Sequence, residues 1–176
     1  MPEARQQALH PDSRVGLGWD LHRLEALPPT GSAGPLVIGG IHVPHDLGVA
    51  GHSDGDVLLH ALTDALLGAI GGPDIGEVFP DTDPRWAGAD SAAFVAEALR
   101  RVHDAGWRVV NADAVVVLER PKLAPHKRAI RENMARLLDL PTDRVNVKGK
   151  THERIGPLGE GRAVEAQVVV LIARAE

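Results

Sequence analysis

Residues 51–68 read GHSDGDVLLHALTDALLG, and the way this stretch folds decides how the rest of the chain is arranged. A small polar loop passes directly into an apolar run. Ser53 or Asp54 is placed to cap a first helical turn, and Asp56 puts a carboxylate where the helix dipole is positive. From Val57 to Ile70 the helix is apolar almost all the way round, which predicts burial. Asp56, His60, Thr63 and Asp64 nevertheless fall at i, i+4, i+7 and i+8, so they line one narrow polar stripe. Buried polar groups cost several kcal/mol unless hydrogen-bonded, ion-paired or bound to a metal, roughly the whole margin of a small domain. The stripe is therefore either a capped helix with one satisfied core histidine or part of a site.

Upstream, Arg14 to Leu21 alternates Val15, Leu17, Trp19 and Leu21 with small or polar residues, the period of a strand. Gly16, Gly18, Asp20 and His22 then share the other face, where the glycines leave room for something bulky. Asp20 and His22, about 7 Å apart along such a strand, can converge on one ion. Taken alone, Asp-x-His also reads as an ordinary surface pair.

Composition narrows the chemistry. The chain has 176 residues, enough for one domain with a core, and 44% hydrophobic with 24% charged residues is an ordinary globular balance. It contains no cysteine, which excludes disulfides, thiolate zinc sites and thiol nucleophiles, so any metal must be held by His, Asp or Glu. A net charge of −5 with dispersed basic residues argues against a nucleic-acid surface. Met1 to Ser13 has no apolar leader core, and no run approaches the roughly 18 apolar residues of a membrane span, so no membrane contact and a cytoplasmic location are expected.

Residues 1–13 are polar and unpatterned and read as an N-terminal extension to a single domain over 14–176. Ala26 to Pro35 reads as a loop, and Leu36 to Pro44 as a hairpin turning at Gly39-Gly40. After the organising helix, Gly71-Gly72-Pro73 stops it. Asp74 to Trp86 has no periodicity and reads as a shaped loop, either an acidic surface excursion or a flap over a polar ligand. Asp90 or Ser91 opens a second helix to Ala105, and Gly106 ends it. Trp107 to Leu118 reads as a strand buried on both faces, because Val115 to Val117 is an unbroken apolar run. Pro125 opens a third helix that Pro141 closes. Arg144 to Lys148 is strand-like, Gly149 to Arg162 is a second loop, and Ala163 to Arg174 is a last apolar strand. There is no repeat and no linker. This order predicts one sheet with helices packed mainly on one face.

In this order the segments Gly16-Leu17-Gly18-Trp19-Asp20-Leu21-His22, His52-Ser53-Asp54-Gly55-Asp56-Val57 with His60, Asp74-Ile75-Gly76, Phe79-Pro80-Asp81-Thr82-Asp83, Arg120-Pro121-Lys122-Leu123 and Val145-Asn146-Val147-Lys148 closely resemble the 2-C-methyl-D-erythritol 2,4-cyclodiphosphate synthase family of the non-mevalonate isoprenoid pathway. The match runs from about Arg14 to Arg174. It implies an α/β sandwich with a mixed sheet, a homotrimer with sites between subunits, and a zinc ion on Asp20, His22 and His60. Two imidazoles and a carboxylate leave a tetrahedral ion one open position, as catalytic sites do.

The family's substrate is 4-diphosphocytidyl-2-C-methyl-D-erythritol 2-phosphate, cyclised with loss of CMP. Its 2-phosphate is the nucleophile, so the protein supplies positioning and charge stabilisation. Zinc would act as Lewis acid, and a magnesium or manganese ion on Glu153 would bridge the diphosphate. By the same resemblance His52 and Thr151 stabilise the transition state. Asp20, Leu21, His22, His52, Ser53, Asp74, Ile75, Gly76, Phe79, Pro80, Asp81, Thr82 and Asp83 face the substrate. Lys150, Thr151, His152, Glu153 and Arg162 complete that set, with His152 more a bystander on its loop. Leu118, Glu119, Arg120, Pro121, Lys122, Leu123 and Ala124 form the cytidine pocket. Asp56 and Asp64 take capping and ligand-orienting duty.

The chain departs from the family at Lys150-Thr151-His152, where many members carry threonines, and at Glu160, where many carry a phosphate-contacting arginine. Arg162 then either replaces that arginine or the contact is missing. A zinc phosphoesterase using the same centre to activate water, and a trimeric metal- or nucleotide-binding scaffold without turnover, are the competing readings.

Overall fold

The computed structural model describes residues 12–49, 53–86 and 88–175. His52 and most of the expected N-terminal extension lie outside them. Among the described residues no helix is long and apolar enough to cross a membrane.

The alternating N-terminal stretch forms β1, Ser13–Ala26, which continues past the expected end at Leu21. The glycine hairpin pairs β2, Val37–Ile38, with β3, Ile41–His42, and both turn glycines have positive φ, 60° and 74°, as a two-residue turn requires. A short β4, Leu47–Val49, leads to the central helix α1, Val57–Ala69. After α1 come the single turn α2, Ile75–Val78, and α3, Ala92–Asp104. The second half is β5, Trp107–Val117; α4, Lys127–Leu137; β6, Val145–Lys150; the single turn α5, Gly156–Gly159; and β7, Ala163–Arg174. The two stretches expected to be pure loops thus hold α2 and α5. One turn is too short to show a period. The third helix starts at Lys127, two residues after Pro125.

One mixed sheet runs in the order β4-β1-β7-β5-β6, with β5 and β6 parallel and the other pairs antiparallel. Its covered face packs on α1, α3 and α4 and holds the core, including Val116, Val168, Val170 and Ile172. The other face is open. Val15 and Leu17 are each 65% exposed and Trp19 55%, so the larger side chains of β1 point away from the core. Val115 and Val117 are only half-buried, so β5 is covered on one face rather than both. Hydrophobic alternation marks the period correctly but names the wrong side as core.

Glycine explains the inversion. A Cβ on Gly18 would stand 1.8 Å from the Ala61 carbonyl oxygen, and one on Gly16 would stand 1.8 Å from that of Ala65. The bulky neighbour for which the glycines leave room is the backbone of α1. Strand and helix meet almost backbone to backbone, which only a residue without a side chain allows.

Asp56, rather than Ser53 or Asp54, caps α1. One carboxylate oxygen accepts the N–H groups of Leu58 at 3.1 Å and Leu59 at 3.0 Å, and it also accepts from Gly39 at 2.9 Å. The other accepts from Gly40 at 2.6 Å. Burial pushes this carboxyl up to about 6, with the N–H donors working against that shift. One fully buried acid thereby pins the hairpin turn to the head of α1.

Candidate metal centre and its two cavities

Asp20 and His22 leave β1 on its helix-facing side, and His60 meets them from the first turn of α1. The Asp20 Oδ2 lies 3.0 Å from His60 Nδ1 and 3.1 Å from His22 Nε2, and the two nitrogens are 3.1 Å apart. Each of the three side chains is largely buried. Burial alone would raise the Asp20 carboxyl, but its hydrogen bonds to His22 and His60 outweigh that and hold it far below the usual carboxylate range. Ligand atoms around a tetrahedral zinc stand about 3.3 Å apart, from metal–ligand bonds of about 2.0–2.1 Å. The three atoms are already close to that spacing, and two imidazoles with one carboxylate are a donor set zinc accepts.

The centre opens on a cavity of about 440 Å³. Phe79, Trp86 and Phe94 form one wall, their rings 4.5–5.6 Å apart, and Phe94 also lies 5.9 Å from the His60 ring. Ser53, Ile75, Gly76, Pro80 and Asp81 line the remainder, so most of the expected 74–81 contacts stand in front of the centre. Asp74 is occupied as the cap of α2, accepting from Glu77 N–H at 2.9 Å, and Asp83 chelates the Arg85 guanidinium. Asp64 accepts from Ile75 N–H at 2.7 Å and so holds the 74–81 segment against α1. Burial, with Asp74 and Asp20 nearby, raises its carboxyl.

Asp56 fulfils the capping half of the duty expected of this pair, but neither it nor Asp64 stands behind the imidazole of His22 or His60. That place belongs to Ser91, whose Oγ lies 2.9 Å from His60 Nε2 and also donates to the Asp54 carboxylate. Ser53 Oγ approaches the same nitrogen at 3.1 Å.

A second cavity of about 230 Å³ lies under the 118–124 turn, lined by Leu118, Glu119, Lys122, Leu123 and Ala124 with Gly149, Lys150 and Thr151. Lys127, which sequence reading missed, adds a cation there. The Glu119 carboxylate accepts from His152 N–H, and Thr151 Oγ1 donates to Glu153 Oε1 at 2.7 Å. Glu153 and Arg154 both have left-handed backbones, φ 51° and 61°. A Cβ on Gly159 would come within 2.4 Å of Arg154 backbone, so α5 needs its glycine to seat this turn.

The two cavities are separate within one chain. Asp20, Ala166, Val116 and Gly149 are in register across four strands, and three strand spacings amount to about 14 Å. Arg162 reaches neither cavity. Its guanidinium is held by Glu160 at 2.6 Å in a different cleft, beside Leu21, Arg23 and Pro157.

The fold and site define an α/β protein with a candidate two-histidine, one-aspartate metal centre at a seam between strand and helix. A family model described as the YgbB family matches residues 13–173, and the chain belongs to that family. It is 54% identical over 161 residues to the chloroplastic 2-C-methyl-D-erythritol 2,4-cyclodiphosphate synthase of Catharanthus roseus, covering 92% of this chain and 66% of that protein. The synthase of the same name from Burkholderia mallei strain SAVP1 is 52% identical, with 93% of this chain and 97% of that protein covered. A solved 2C-methyl-D-erythritol-2,4-cyclodiphosphate synthase in a CDP-bound form superposes with a TM-score of 0.81 at 45% identity, covering 90% of this chain and 99% of that one.

Proposed function

We propose that the protein converts 4-diphosphocytidyl-2-C-methyl-D-erythritol 2-phosphate to 2-C-methyl-D-erythritol 2,4-cyclodiphosphate and CMP, a phosphorus–oxygen lyase step of the non-mevalonate pathway. The observation that carries this reading is the convergence of Asp20, His22 and His60 at the mouth of a cavity whose far side is the 75–81 segment. A substrate oxygen of the 2-phosphate attacks the β-phosphorus. The bond from that phosphorus to the bridging oxygen breaks, and CMP departs with the electron pair.

Zinc held by Asp20, His22 and His60 would polarise a phosphate oxygen as a Lewis acid, and Glu153 would hold magnesium or manganese against the diphosphate. The chain's own residues do the positioning. Asp81 and the backbone around Gly76 face the methylerythritol hydroxyls, which need acceptors and donors at fixed places. Lys122, Lys127 and Lys150 bring three positive charges to the second cavity, where the cytidine end and its phosphates belong. Thr151 and His52 stay in the transition-state role assigned by resemblance, and Glu153 in the metal-binding role.

A homotrimer with shared sites fits two features. The half-sites of one chain are about 14 Å apart, and the open sheet face presents Val15, Leu17, Trp19, Leu21 and Val169 to solvent. Burying that face between subunits would bring one chain's metal centre to its neighbour's nucleotide cavity. Trp19→Asp should therefore yield monomers by light scattering and lose turnover with them. A Trp19→Asp trimer with full activity would place the interface elsewhere. Substrate and product are soluble polyanions, and we assign the reaction to the cytoplasm, whereas the Catharanthus relative is named as chloroplastic.

Phosphorus NMR of the reaction tests the chemistry directly. Two mutually coupled diphosphate resonances should grow together with CMP. An orthophosphate signal instead would show a phosphoesterase, and no change in the spectrum would leave only a binding scaffold.

A further inference from the structure

Ser91 occupies the N-cap position of α3 yet makes no cap hydrogen bond with its side chain. An N-cap serine normally spends its oxygen on the free N–H groups of the first turn. Here the hydroxyl is fully buried and is used elsewhere. Its proton goes to the Asp54 carboxylate, which also accepts the Ser91 N–H at 3.1 Å and the Asp56 N–H at 3.2 Å. An ionised carboxylate only accepts, so the single hydroxyl proton of Ser91 has one destination.

The consequence falls on His60. With its proton committed, Ser91 Oγ can only accept from His60 Nε2, 2.9 Å away. That acceptor holds a proton on Nε2, so the nitrogen turned toward Asp20 Oδ2 and His22 Nε2, and available to a metal ion, is Nδ1. Ser53 Oγ, on the cavity side, accepts the Gly55 N–H at 3.2 Å and is placed to accept from the same Nε2 as well. We propose that Asp54 and Ser91 are positioning residues that hold the Nε2–H of His60 and thereby present its Nδ1 to a divalent metal ion. This deepens the metal-centre reading and rests on it. The chain joins the loop before α1 to the head of α3, so two elements remote in sequence set the state of one ligand atom.

The test uses wild-type protein labelled with 15N-histidine and loaded with zinc. Long-range proton–nitrogen correlation should show a slowly exchanging proton on His60 Nε2; zinc on Nε2, with the proton on Nδ1, overturns the proposal. In Ser91→Ala and Asp54→Ala that proton should exchange with water measurably faster. Both should weaken zinc binding about 10- to 100-fold in competition with a chelator, the usual effect of removing the partner behind a metal ligand. Asp54→Asn, which keeps an acceptor oxygen, should recover most of the affinity. Folded variants that hold zinc as tightly as wild type, with the Nε2 proton unchanged, would refute the relay while leaving the metal centre standing. Wild-type protein that takes up no zinc would remove both.

Discussion

Replacing His60 with alanine should leave a folded protein that neither retains zinc nor turns over substrate. Asp20 and His22 alone offer two of the three donors, and at 26% and 23% exposed against 12% for His60 they meet more water, which competes for the metal. Bound zinc, read by metal analysis after dialysis, should fall to background. Turnover should drop by at least about a thousandfold, or roughly 4 kcal/mol of transition-state stabilisation, within the several kcal/mol that a Lewis-acid metal contributes. The fold survives because the imidazole belongs to the polar stripe of α1, while the core-facing Leu58, Leu59, Leu62 and Leu66 are untouched. Normal turnover by a zinc-free His60→Ala protein would take the metal out of the chemistry altogether.

Gly18→Ala should, together with its counterpart at Gly16, be the most damaging single methyl group that can be added to β1. The new carbon would overlap the Ala61 carbonyl oxygen at 1.8 Å, and backbone cannot swing aside as a side chain can. Ordinary overpacking costs about 1–3 kcal/mol. This contact lies beyond that range, so we expect more than about 3 kcal/mol and a fall of roughly 6–12 °C in melting temperature, at about 2–4 °C per kcal/mol for a chain of this size. Prying β1 from α1 also separates Asp20 and His22 from His60, so zinc affinity should fall in parallel. Gly34→Ala is the control. Its Cβ would meet nothing nearer than 3.8 Å, and melting should change by no more than about 2 °C. Equal melting curves for Gly18→Ala and wild type would mean that the close seam does not hold the fold.

Local chemistry made much of this molecule legible before any coordinates. The buried α1, the hairpin at Gly39-Gly40 and the strands opening at Trp107 and Ala163 all carry short-range signals: period, punctuation or paired glycines. The three-residue centre was legible only through resemblance, since Asp-x-His and a mid-helix histidine are each commonplace. Asp54 and Ser91 escaped because they are 37 residues apart and each has an ordinary explanation, a loop acid and a helix cap. A cap serine whose oxygen is wanted elsewhere looks the same in sequence as one that caps. The sidedness of β1 was hidden for a different reason. When a helix backbone packs directly on glycines, the small residues face inward and the large ones outward, so hydrophobicity points away from the core.

One consequence follows from where His60 is mounted. It rides on the helix most deeply sunk in the protein, whose leucines and valine are sealed from water on every side. Local fraying releases residues near chain ends and in loops, but an element of this kind lets go only when the whole domain does. The ligand set therefore has no private route to disassembly: in urea or heat, losing the grip on the ion and losing the native state should be a single cooperative event.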